Sequence, residues 1–282
     1  MQKIEFEVKT PKKLFKAIID ELPFLSRFDV SKILENKDVK LNNARVKADV
    51  QLSVGDKLVV YYNEKEQKEW YNLVYSDENV LIVNKRAGIE VVSENERDLL
   101  AILKQNYNSA VAVHRIDRNT EGLVIFALNK ASERELLRAF KTRCGVIKKY
   151  ALLVEGRVDL TKIKRTVYLK KVDALSKVWI SEVKTSGYEP ISTEFDIVQY
   201  LGDRTLLTAN LITGKTHQIR AHIAYYGYAI VGDNKYGKSK DKQLCLTANY
   251  LGFNFKKDSK LSYLNAKSFE IIPSWLWNLI KN

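Results

Sequence analysis

The chain has 282 residues, of which 45% are hydrophobic and 10% aromatic, enough to build a core and to exclude wholesale disorder. Its 47 basic and 34 acidic side chains give a formal net charge of +13, which indicates a polyanionic partner such as nucleic acid, although a lysine-rich solvated surface would give the same excess. Two separate cysteines, no signal-peptide core and no long apolar run argue against a disulfide scaffold, a secreted protein and a membrane protein, so we expect a cytoplasmic protein.

Residues 1–63 have the pattern of a small module with two helices and short strands. The segment PKKLFKAIIDEL repeats apolar residues at the spacing of one helical face, and LSRFDVSKILENKDV begins a second helix that we expect Ser26 to cap. The segment VKLNNARVKADVQLSVGDKLVVYY predicts short strands joined by turns. Residues 64–71 are charged and aperiodic, as in a linker. The buried stripe predicted for the second helix consists of Val30, Ile33 and Leu34.

Residues 72–282 have the pattern of a larger mixed domain. NLVYSDENVLIVNKRAG predicts two strands around a turn, and KKYALLVEG and RTLLTANLITG predict two more. SERELLRAFKTRCG predicts a helix in which Ser132 and Glu135 form a capping box and Gly145 ends the last turn. THQIRAHIAYYG predicts a further helix, capped by Thr216.

The three histidines of the chain, His114, His217 and His222, lie in two short polar segments. Histidines near acidic residues raise the question of a metal site, but neither HExxH nor another ligand spacing is present. His217 and His222 are five residues apart and point to different faces of the predicted helix, and His222 shares an apolar stripe with Ile219 and Ile223. We therefore expect no metal and a buried, structural His222.

The segment VAVHRIDRNTEGL, residues 111–123, places Asp117 between Arg115 and Arg118 on a polar loop. Flanking arginines favour the charged form of a carboxylate, so we expect Asp117 to be ionised and held between them. An ionised carboxylate on such a loop can serve as a nucleophile or a base, or can anchor a structural ion pair. Arg220, one turn after His217 on the predicted helix, is a candidate partner for it.

The stretch LSRFDVSKILENKDVKLNNARVKADVQLSVGDKLVV resembles the S-four-type RNA-binding module, first named from a ribosomal protein. Lys37 and Asn43 stand where that family usually has glycine. The resemblance implies that the helix pair offers basic side chains to RNA, and by position these are Arg27 and Lys32. The alternative is that these side chains are merely solvated.

The segment HRIDRNTEGLVIFALNK resembles the signature of the RluA-type pseudouridine synthases, which convert chosen uridines of ribosomal or transfer RNA to pseudouridine. VYSDENVLIVNKRAG, KKYALLVEG and LITGKTHQIRAHIAYYGYAIVGDNKYG match further family segments in order, across roughly residues 70–275. The resemblance implies an α+β catalytic domain on a mixed, mainly antiparallel β-sheet with a central cleft, preceded by the S-four-type domain. It also implies an enzyme that acts without a cofactor on RNA, most simply large-subunit ribosomal RNA, with transfer RNA as the other candidate. We expect the protein to be a monomer.

The resemblance assigns roles to residues of this chain. Asp117 matches the catalytic aspartate, and Arg115 matches the arginine that enters the RNA and helps to extrude the target base. Tyr150 matches the tyrosine that stacks on the uracil and can help to deprotonate its carbon 5. Arg220 matches the basic partner of the carboxylate, and Leu246 matches an apolar residue of the pocket. The further substrate-binding candidates are His114, Lys148, Lys215 and His217.

Three positions depart from the family pattern. Lys215 replaces an arginine and loses its bidentate fork, Arg86 replaces a proline, and Thr247 replaces a histidine. None of these positions carries a central catalytic group. We expect the departures to alter RNA contacts or substrate choice.

Two other functions remain open on the sequence alone. A hydrolytic nucleosidase or glycosidase would need a second carboxylate about 5–9 Å from the first, which Asp233 or Glu121 would supply. A non-catalytic RNA-binding protein would use Asp117 only in a structural ion pair.

Overall fold

The structure is a computed structural model that describes residues 2–22, 25, 27–62, 70–93, 98–172, 176–238, 241 and 243–276. The chain divides into two compact units, Met1–Glu69 and Trp70–Asn282. The predicted linker, residues 64–71, lies mainly outside the described residues, and the assignment of a domain to each unit stays a prediction. No helix within the described ranges is both long enough and apolar enough to cross a membrane.

A shared apolar core joins the two helices of the N-terminal unit to its sheet. The predicted stripe of the second helix is confirmed, since Val30, Ile33 and Leu34 are all buried. Ser26, its predicted cap, lies outside the described residues, and the likeness to the S-four-type module stays a prediction. The elements are β1 (Gln2–Glu7), β2 (Lys12–Lys13), α1 (Leu14–Glu21), α2 (Arg27–Glu35), β3 (Val39–Leu41), β4 (Ala44–Val46), β5 (Gln51–Leu52) and β6 (Lys57–Tyr62). The sheet has the order β1-β6-β3-β4, and β2 pairs with β5.

The C-terminal unit is built on one large mixed sheet. Its helices are α3 (Leu99–Leu103), α4 (Lys130–Thr142) and α5 (Gln218–Tyr225). Its strands are β7 (Tyr71–Ser76), β8 (Val80–Lys85), β9 (Val111–Ala112), β10 (Glu121–Ala127), β11 (Val146–Glu155), β12 (Thr166–Val172), β13 (Lys177–Ser181), β14 (Glu189–Leu201), β15 (Arg204–Leu211), β16 (Leu246–Phe253) and β17 (Ser268–Glu270).

The pairing of these strands confirms the predicted α+β class with a mixed, mainly antiparallel sheet. Nine strands run in the order β13-β12-β14-β15-β11-β16-β10-β8-β7, with β17 beside β16 and β9 beside β10. Within the described part of the chain, β10 and β16 are parallel and the other ladders of this sheet are antiparallel.

Apolar cores cover both faces of the central strands. On β8, Leu81 and Val83 belong to one core while Val80 and Ile82 belong to another, because successive side chains of a strand point to opposite faces. The strand β10 alternates between the same two cores. Burial on both faces explains why these strands appear in the sequence as continuous apolar runs. The central strands therefore give the loops at their ends a rigid support.

The ends of α4 differ from the sequence prediction. Its N-cap is Asn129, whose side chain accepts from the backbone N–H of Ser132 at 2.9 Å, and the Ser132 hydroxyl accepts from the Asn129 N–H at 3.3 Å. Ser132 is thus the inner partner of the capping box, and Glu135 instead accepts from Ser259. The helix ends at Thr142, and its C-cap is Arg143 in a left-handed conformation, with φ of 59°, two residues before Gly145.

Gly122 allows β10 to lie close to β16. It pairs with Ala248 in the parallel ladder and has φ of +129°. A Cβ atom at this position would lie 2.4 Å from the carbonyl oxygen and 2.6 Å from the nitrogen of Ala248. Because both neighbours are backbone atoms, no side chain can rotate away to relieve the clash, and the position requires glycine.

We predict that Gly122→Ala lowers the free energy of unfolding by about 2 kcal/mol or more, because the ladder with β16 must shift. Denaturant unfolding measures this change. Gly214→Ala is the matched control, since a Cβ there meets nothing within 4 Å, and it should change stability by less than about 1 kcal/mol. Equal effects of the two substitutions would show that the close approach is not what selects glycine.

Candidate active site

A cleft with a volume of about 1040 Å³ opens in the C-terminal unit. Its walls come from the loop before β10, from the end of α4 and the start of β11, and from the segment between β15 and α5. The predicted site residues of this unit all line it: His114, Arg115, Asp117, Lys148, Tyr150, Lys215, His217, Arg220 and Leu246. Lys32 is exposed on α2 in the N-terminal unit, and the side chain of Arg27 lies outside the described part of the structure.

Arg220 bridges two carboxylates. Its Nε and Nη2 donate to Oδ2 and Oδ1 of Asp233 at 2.7 and 2.9 Å, and its Nη1 donates to Oδ2 of Asp117 at 3.2 Å. The Asp233 side chain is fully buried, whereas that of Asp117 is 25% exposed. Burial would raise the pKa of Asp233, but the hydrogen bonds and charge of Arg220 outweigh it and hold that pKa below its usual value. Asp117 is therefore the accessible end of a charged, largely buried cluster.

The arginines adjacent to Asp117 do not hold it, contrary to the sequence expectation. Arg118 is exposed and its Nε donates to the Gly88 carbonyl at 3.0 Å, while Arg115 is exposed and lines the cleft. The arginine that pairs with Asp117 is Arg220, 103 residues further along the chain. Adjacency in sequence was misleading because neighbouring side chains on an extended loop point in different directions.

The carboxylates considered for a hydrolytic mechanism are already engaged. Both oxygens of Asp233 accept from Arg220. Glu121 accepts from the Thr247 hydroxyl at 2.8 Å and from the Ser274 hydroxyl at 2.6 Å. Neither Asp233 nor Glu121 lines the cleft with Asp117, which argues against the second carboxylate that a nucleosidase or glycosidase requires.

His217 lies just before α5 in a left-handed backbone conformation, with φ of 54°. The helix begins at Gln218 and has no side-chain cap, so Thr216 is not the cap that the sequence predicted. Gln218 is buried and fixes this turn, because its Oε1 accepts from the Thr213 hydroxyl at 2.8 Å and from the Lys215 N–H at 3.1 Å. Sequence analysis missed Gln218, since a glutamine at a helix start carries no signal of burial.

The imidazole of His217 lies between Asp117 and Tyr236. Its Nε2 is 3.7 Å from Oδ2 of Asp117, and its Nδ1 is 2.9 Å from the Tyr236 hydroxyl. Burial lowers the pKa of His217, which favours the neutral ring. The Tyr236 ring also faces the Arg220 guanidinium at 5.4 Å. Sequence analysis missed Tyr236, although a tyrosine so close to Asp233 in the segment DNKYG was a usable signal.

Tyr150 lies on β11 where the ladder with β16 changes register, between Lys149 and Ala151. Such irregularities re-aim side chains next to active sites. The Tyr150 side chain is almost fully buried, and burial, followed by the charge of Asp117, raises the pKa of its phenol well above the usual value. The ring therefore stays protonated in the wall of the cleft, which Leu246 also lines.

His114, Phe140 and Lys148 form a layered wall of the cleft. The His114 ring stacks on Phe140 with centroids 4.5 Å apart, and Nζ of Lys148 is 5.0 Å from the Phe140 centroid. His114 Nε2 accepts from the Ile125 N–H at 3.1 Å, which fixes the ring to β10. Burial lowers the pKa of Lys148 to about 8. Lys148 makes no ion pair with a carboxylate of the described residues, so it is a desolvated cation in the cleft wall.

Lys85 supports the loop that carries Asp117. Its side chain is fully buried, and Nζ donates to the carbonyls of Arg86, Ile89 and Arg118 at 2.9, 2.8 and 3.1 Å. Burial lowers the pKa of Lys85 to about 7, and the negative charge of Asp117 opposes that shift. The lysine thereby ties the turn after β8 to the loop of the cleft.

Lys215 and Thr247 depart from the family pattern, and the structure shows a local partner for each. Lys215 is exposed and pairs with Glu189. Thr247 is buried, donates to Glu121, and accepts from the indole N–H of Trp275 at 2.8 Å. Thr247 thus holds the C-terminal segment against the sheet.

His222 has the buried position expected of a structural histidine. It is fully buried, and its Nε2 is 2.9 Å from the Lys164 carbonyl oxygen. Across the residues that the structure describes, no cluster of three or more histidine, cysteine or acidic side chains is arranged to hold a metal ion.

Comparison with known proteins identifies the family. Residues 79–225 match the family described as RNA pseudouridylate synthase. The dual-specificity RNA pseudouridine synthase RluA of Escherichia coli (strain K12) is 32% identical over 190 residues, which cover 63% of this chain and 82% of that protein. Ribosomal large subunit pseudouridine synthase C of Vibrio cholerae is 30% identical over 241 residues, which cover 77% of this chain and 74% of that protein.

A solved structure supports the likeness in fold. Human RNA pseudouridylate synthase domain containing 1 superposes with a TM-score of 0.56 and 24% identity, over 75% of this chain and 93% of that chain. The chain belongs to the RNA pseudouridylate synthase family, as an RluA-type member, and is an isomerase that acts on RNA.

Proposed function

We propose that the enzyme isomerises specific uridines of structured RNA with Asp117 as the catalytic carboxylate. We propose large-subunit ribosomal RNA as the first candidate substrate, a choice supported by the name of the Vibrio cholerae relative, and transfer RNA as the second. We also propose that the enzyme acts in the cytoplasm as a monomer, without a metal or cofactor. The observation that carries the proposal is the accessible carboxylate of Asp117, bound by Arg220 in the wall of a cleft.

The reaction suits a carboxylate held in this way. The N1–C1′ bond breaks, the uracil turns, a C5–C1′ bond forms, and a proton is lost from C5 while N1 gains one. A carboxylate beside C1′ can stabilise the positive charge that develops on the sugar, attack it covalently as in retaining glycosidases, or take the ribose 2′ proton. Arg220 keeps this carboxylate oriented, because its other donors are committed to Asp233.

Tyr150 is the proposed platform for the extruded base. Stacking on an aromatic side chain contributes about 1–3 kcal/mol, which offsets part of the few kcal/mol needed to flip a base. The raised pKa of Tyr150 keeps its phenol protonated, which favours stacking over removal of the C5 proton. Leu246 adds an apolar surface to the same cleft and helps to keep water from the detached base.

Basic side chains supply the proposed contacts with phosphate. Arg115, Lys148 and Lys215 line the cleft, and the chain as a whole has a net charge of +13. Lys148 supports this role most directly, because burial of a cation without a carboxylate partner is unfavourable until an anion approaches. In the N-terminal unit, Arg27 and Lys32 are proposed to add RNA affinity.

We predict that Asp117→Asn lowers pseudouridine formation by at least about 1000-fold, because an amide cannot supply the negative charge at the sugar. Loss of a C5 hydrogen label from uridine in RNA measures the rate, and a binding titration should show RNA affinity close to that of the unsubstituted enzyme. Asp258→Asn, at an exposed position, is the control and should leave the rate unchanged. Activity retained by Asp117→Asn would refute the role of this carboxylate.

We predict opposite effects of Lys148→Met on stability and on RNA binding. Removal of the buried charge should raise the melting temperature at pH 7 by about 2–4 °C, while RNA affinity falls about tenfold. Since the pKa of Lys148 is lowered to about 8 in the fold, the stability gain should be full below pH 8 and disappear above 10.5, the pKa of an ordinary lysine.

The control for Lys148→Met is Lys149→Met, the next residue on β11, which is exposed and should change neither property by much. Thermal unfolding at two pH values and RNA titrations compare the two variants. A lower melting temperature with unchanged RNA affinity in Lys148→Met would show that Lys148 is a structural cation.

We predict that the double substitution Arg27→Ala and Lys32→Ala weakens RNA binding and reduces the slope of log K against log salt concentration by about 1–2, one unit for each lost phosphate contact. Turnover on saturating RNA should not change. The control pair Lys9→Ala and Lys47→Ala removes two exposed lysines outside the helices of the same unit. Equal losses in both pairs would mean that net charge, and not the helix pair, attracts the RNA.

A further inference from the structure

We propose that His217 is a positioning residue that donates from Nε2 to Asp117, and that Tyr236 fixes the imidazole tautomer which makes this possible. The proposal rests on the proposed function of Asp117. It adds a second donor to the carboxylate besides Arg220. It also assigns a role to Tyr236, a residue that the chemistry described above does not use.

The hydrogen bond between Tyr236 and His217 has a defined direction. The Tyr236 oxygen has two partners among the described residues: the backbone N–H of Val178 at 2.9 Å and Nδ1 of His217 at 2.9 Å. A backbone N–H can only donate, so the hydroxyl accepts from Val178. Burial raises the pKa of Tyr236, which keeps its own proton in place. Of the two partners, only Nδ1 of His217 can accept that proton, so the Tyr236 hydroxyl donates to Nδ1.

The direction of that hydrogen bond determines which nitrogen of the imidazole carries the proton. A neutral imidazole carries one proton, and a ring whose Nδ1 accepts a hydrogen bond carries it on Nε2. Burial, opposed by the charge of Asp117 and assisted by that of Arg220, lowers the pKa of His217 and keeps the ring neutral. Nε2–H then faces Oδ2 of Asp117 at 3.7 Å. This separation is longer than a normal hydrogen bond. Hydrogen bonds of catalytic residues are often long in the free enzyme, and we expect this one to shorten when the substrate binds.

The backbone conformation at His217 directs its ring toward Asp117. His217 has φ of 54°, a conformation that non-glycine residues rarely adopt because it is sterically disfavoured. The hydrogen bonds of Gln218 to Thr213 and Lys215 hold this turn in place. Strain of this kind persists where the surrounding structure fixes a side chain for function, and here the fixed side chain faces Asp117.

The two donors leave one oxygen of the carboxylate for the sugar. Arg220 Nη1 and His217 Nε2 both approach Oδ2 of Asp117, at 3.2 and 3.7 Å. No group of the described residues donates to Oδ1. Oδ1 is therefore the oxygen that meets C1′ or the 2′ proton, while Oδ2 anchors the carboxylate.

Histidine NMR tests the tautomers directly, without reference to activity. The chain has three histidines, so selective ¹⁵N labelling gives three resolvable ring systems. We expect Nε2–H for His217, and we expect Nδ1–H for His114, whose Nε2 accepts from the Ile125 N–H. Tyr236→Phe should shift only the His217 signals. A Nδ1–H tautomer at His217 would overturn the proposal even if Asp117→Asn proved inactive, so the two failures are distinguishable.

Kinetics of Tyr236→Phe test the consequence for Asp117. We expect kcat to fall about tenfold to a hundredfold with KM nearly unchanged, because a misplaced carboxylate slows the chemistry without weakening RNA binding. Tyr228→Phe is the matched control, since its hydroxyl also accepts from a backbone N–H, that of Asp159 at 3.3 Å. An unchanged kcat in Tyr236→Phe, or an equal loss in Tyr228→Phe, would overturn the proposal.

Substitutions of His217 separate the donor from the backbone. Glutamine places an N–H near the position of Nε2, whereas asparagine places one near Nδ1 and tolerates the left-handed conformation better. If His217 acts as a donor, His217→Gln should retain at least about tenfold more kcat than His217→Asn. If the residue only maintains the turn, the order reverses, and that result would overturn the proposal.

Discussion

The site depends on one guanidinium that is divided between two carboxylates. Asp233 is fully buried, and loss of one partner of such a pair costs about 3–5 kcal/mol, so Arg220 has little freedom to leave it. The direction of Nη1 follows from that commitment, and Asp117 receives its hydrogen bond from a group that cannot swing away. The position of Asp117, the proposed catalytic carboxylate, is therefore set by an ion pair to which the proposed chemistry assigns no direct role.

The large sheet and the elements attached to it position the other residues of the site around Asp117 and Arg220. The loop with Asp117 leads into β10, Tyr150 projects from an irregular ladder of β11, and Arg220 lies in the first turn of α5. Lys85 donates to three backbone carbonyl groups and so fixes the loop that carries Asp117, and Gln218 fixes the turn before α5. Buried polar side chains that bond to backbone hold the cleft in shape, so that little reorganisation would accompany the proposed binding of RNA.

Local patterns predicted most elements, because apolar periodicity and caps are properties of a few neighbouring residues. They failed where two local solutions compete, as at α4, where Asn129 and Ser132 are both good caps and their ranking depends on the fold around them. Family segments predicted the residues that line the cleft and the pairing of Arg220 with Asp117, but not the contacts of Asp117 and Arg220 with His217 and Asp233. Arg118 was expected to hold Asp117 but donates to the Gly88 carbonyl instead. The contact that Asp117 does make, with Arg220, depends on how distant elements pack.

The parallel ladder at Gly122 has a consequence for synthesis on the ribosome. β10 and its neighbour β16 are separated by more than a hundred residues, so the ribosome synthesises β16 long after β10. A nascent chain that has not yet released β16 lacks both one neighbour of the strand that follows Asp117 and the cleft residue Leu246. The cleft is thus assembled only after β16 has been synthesised, because Asp117 and Leu246 come from segments that lie more than a hundred residues apart.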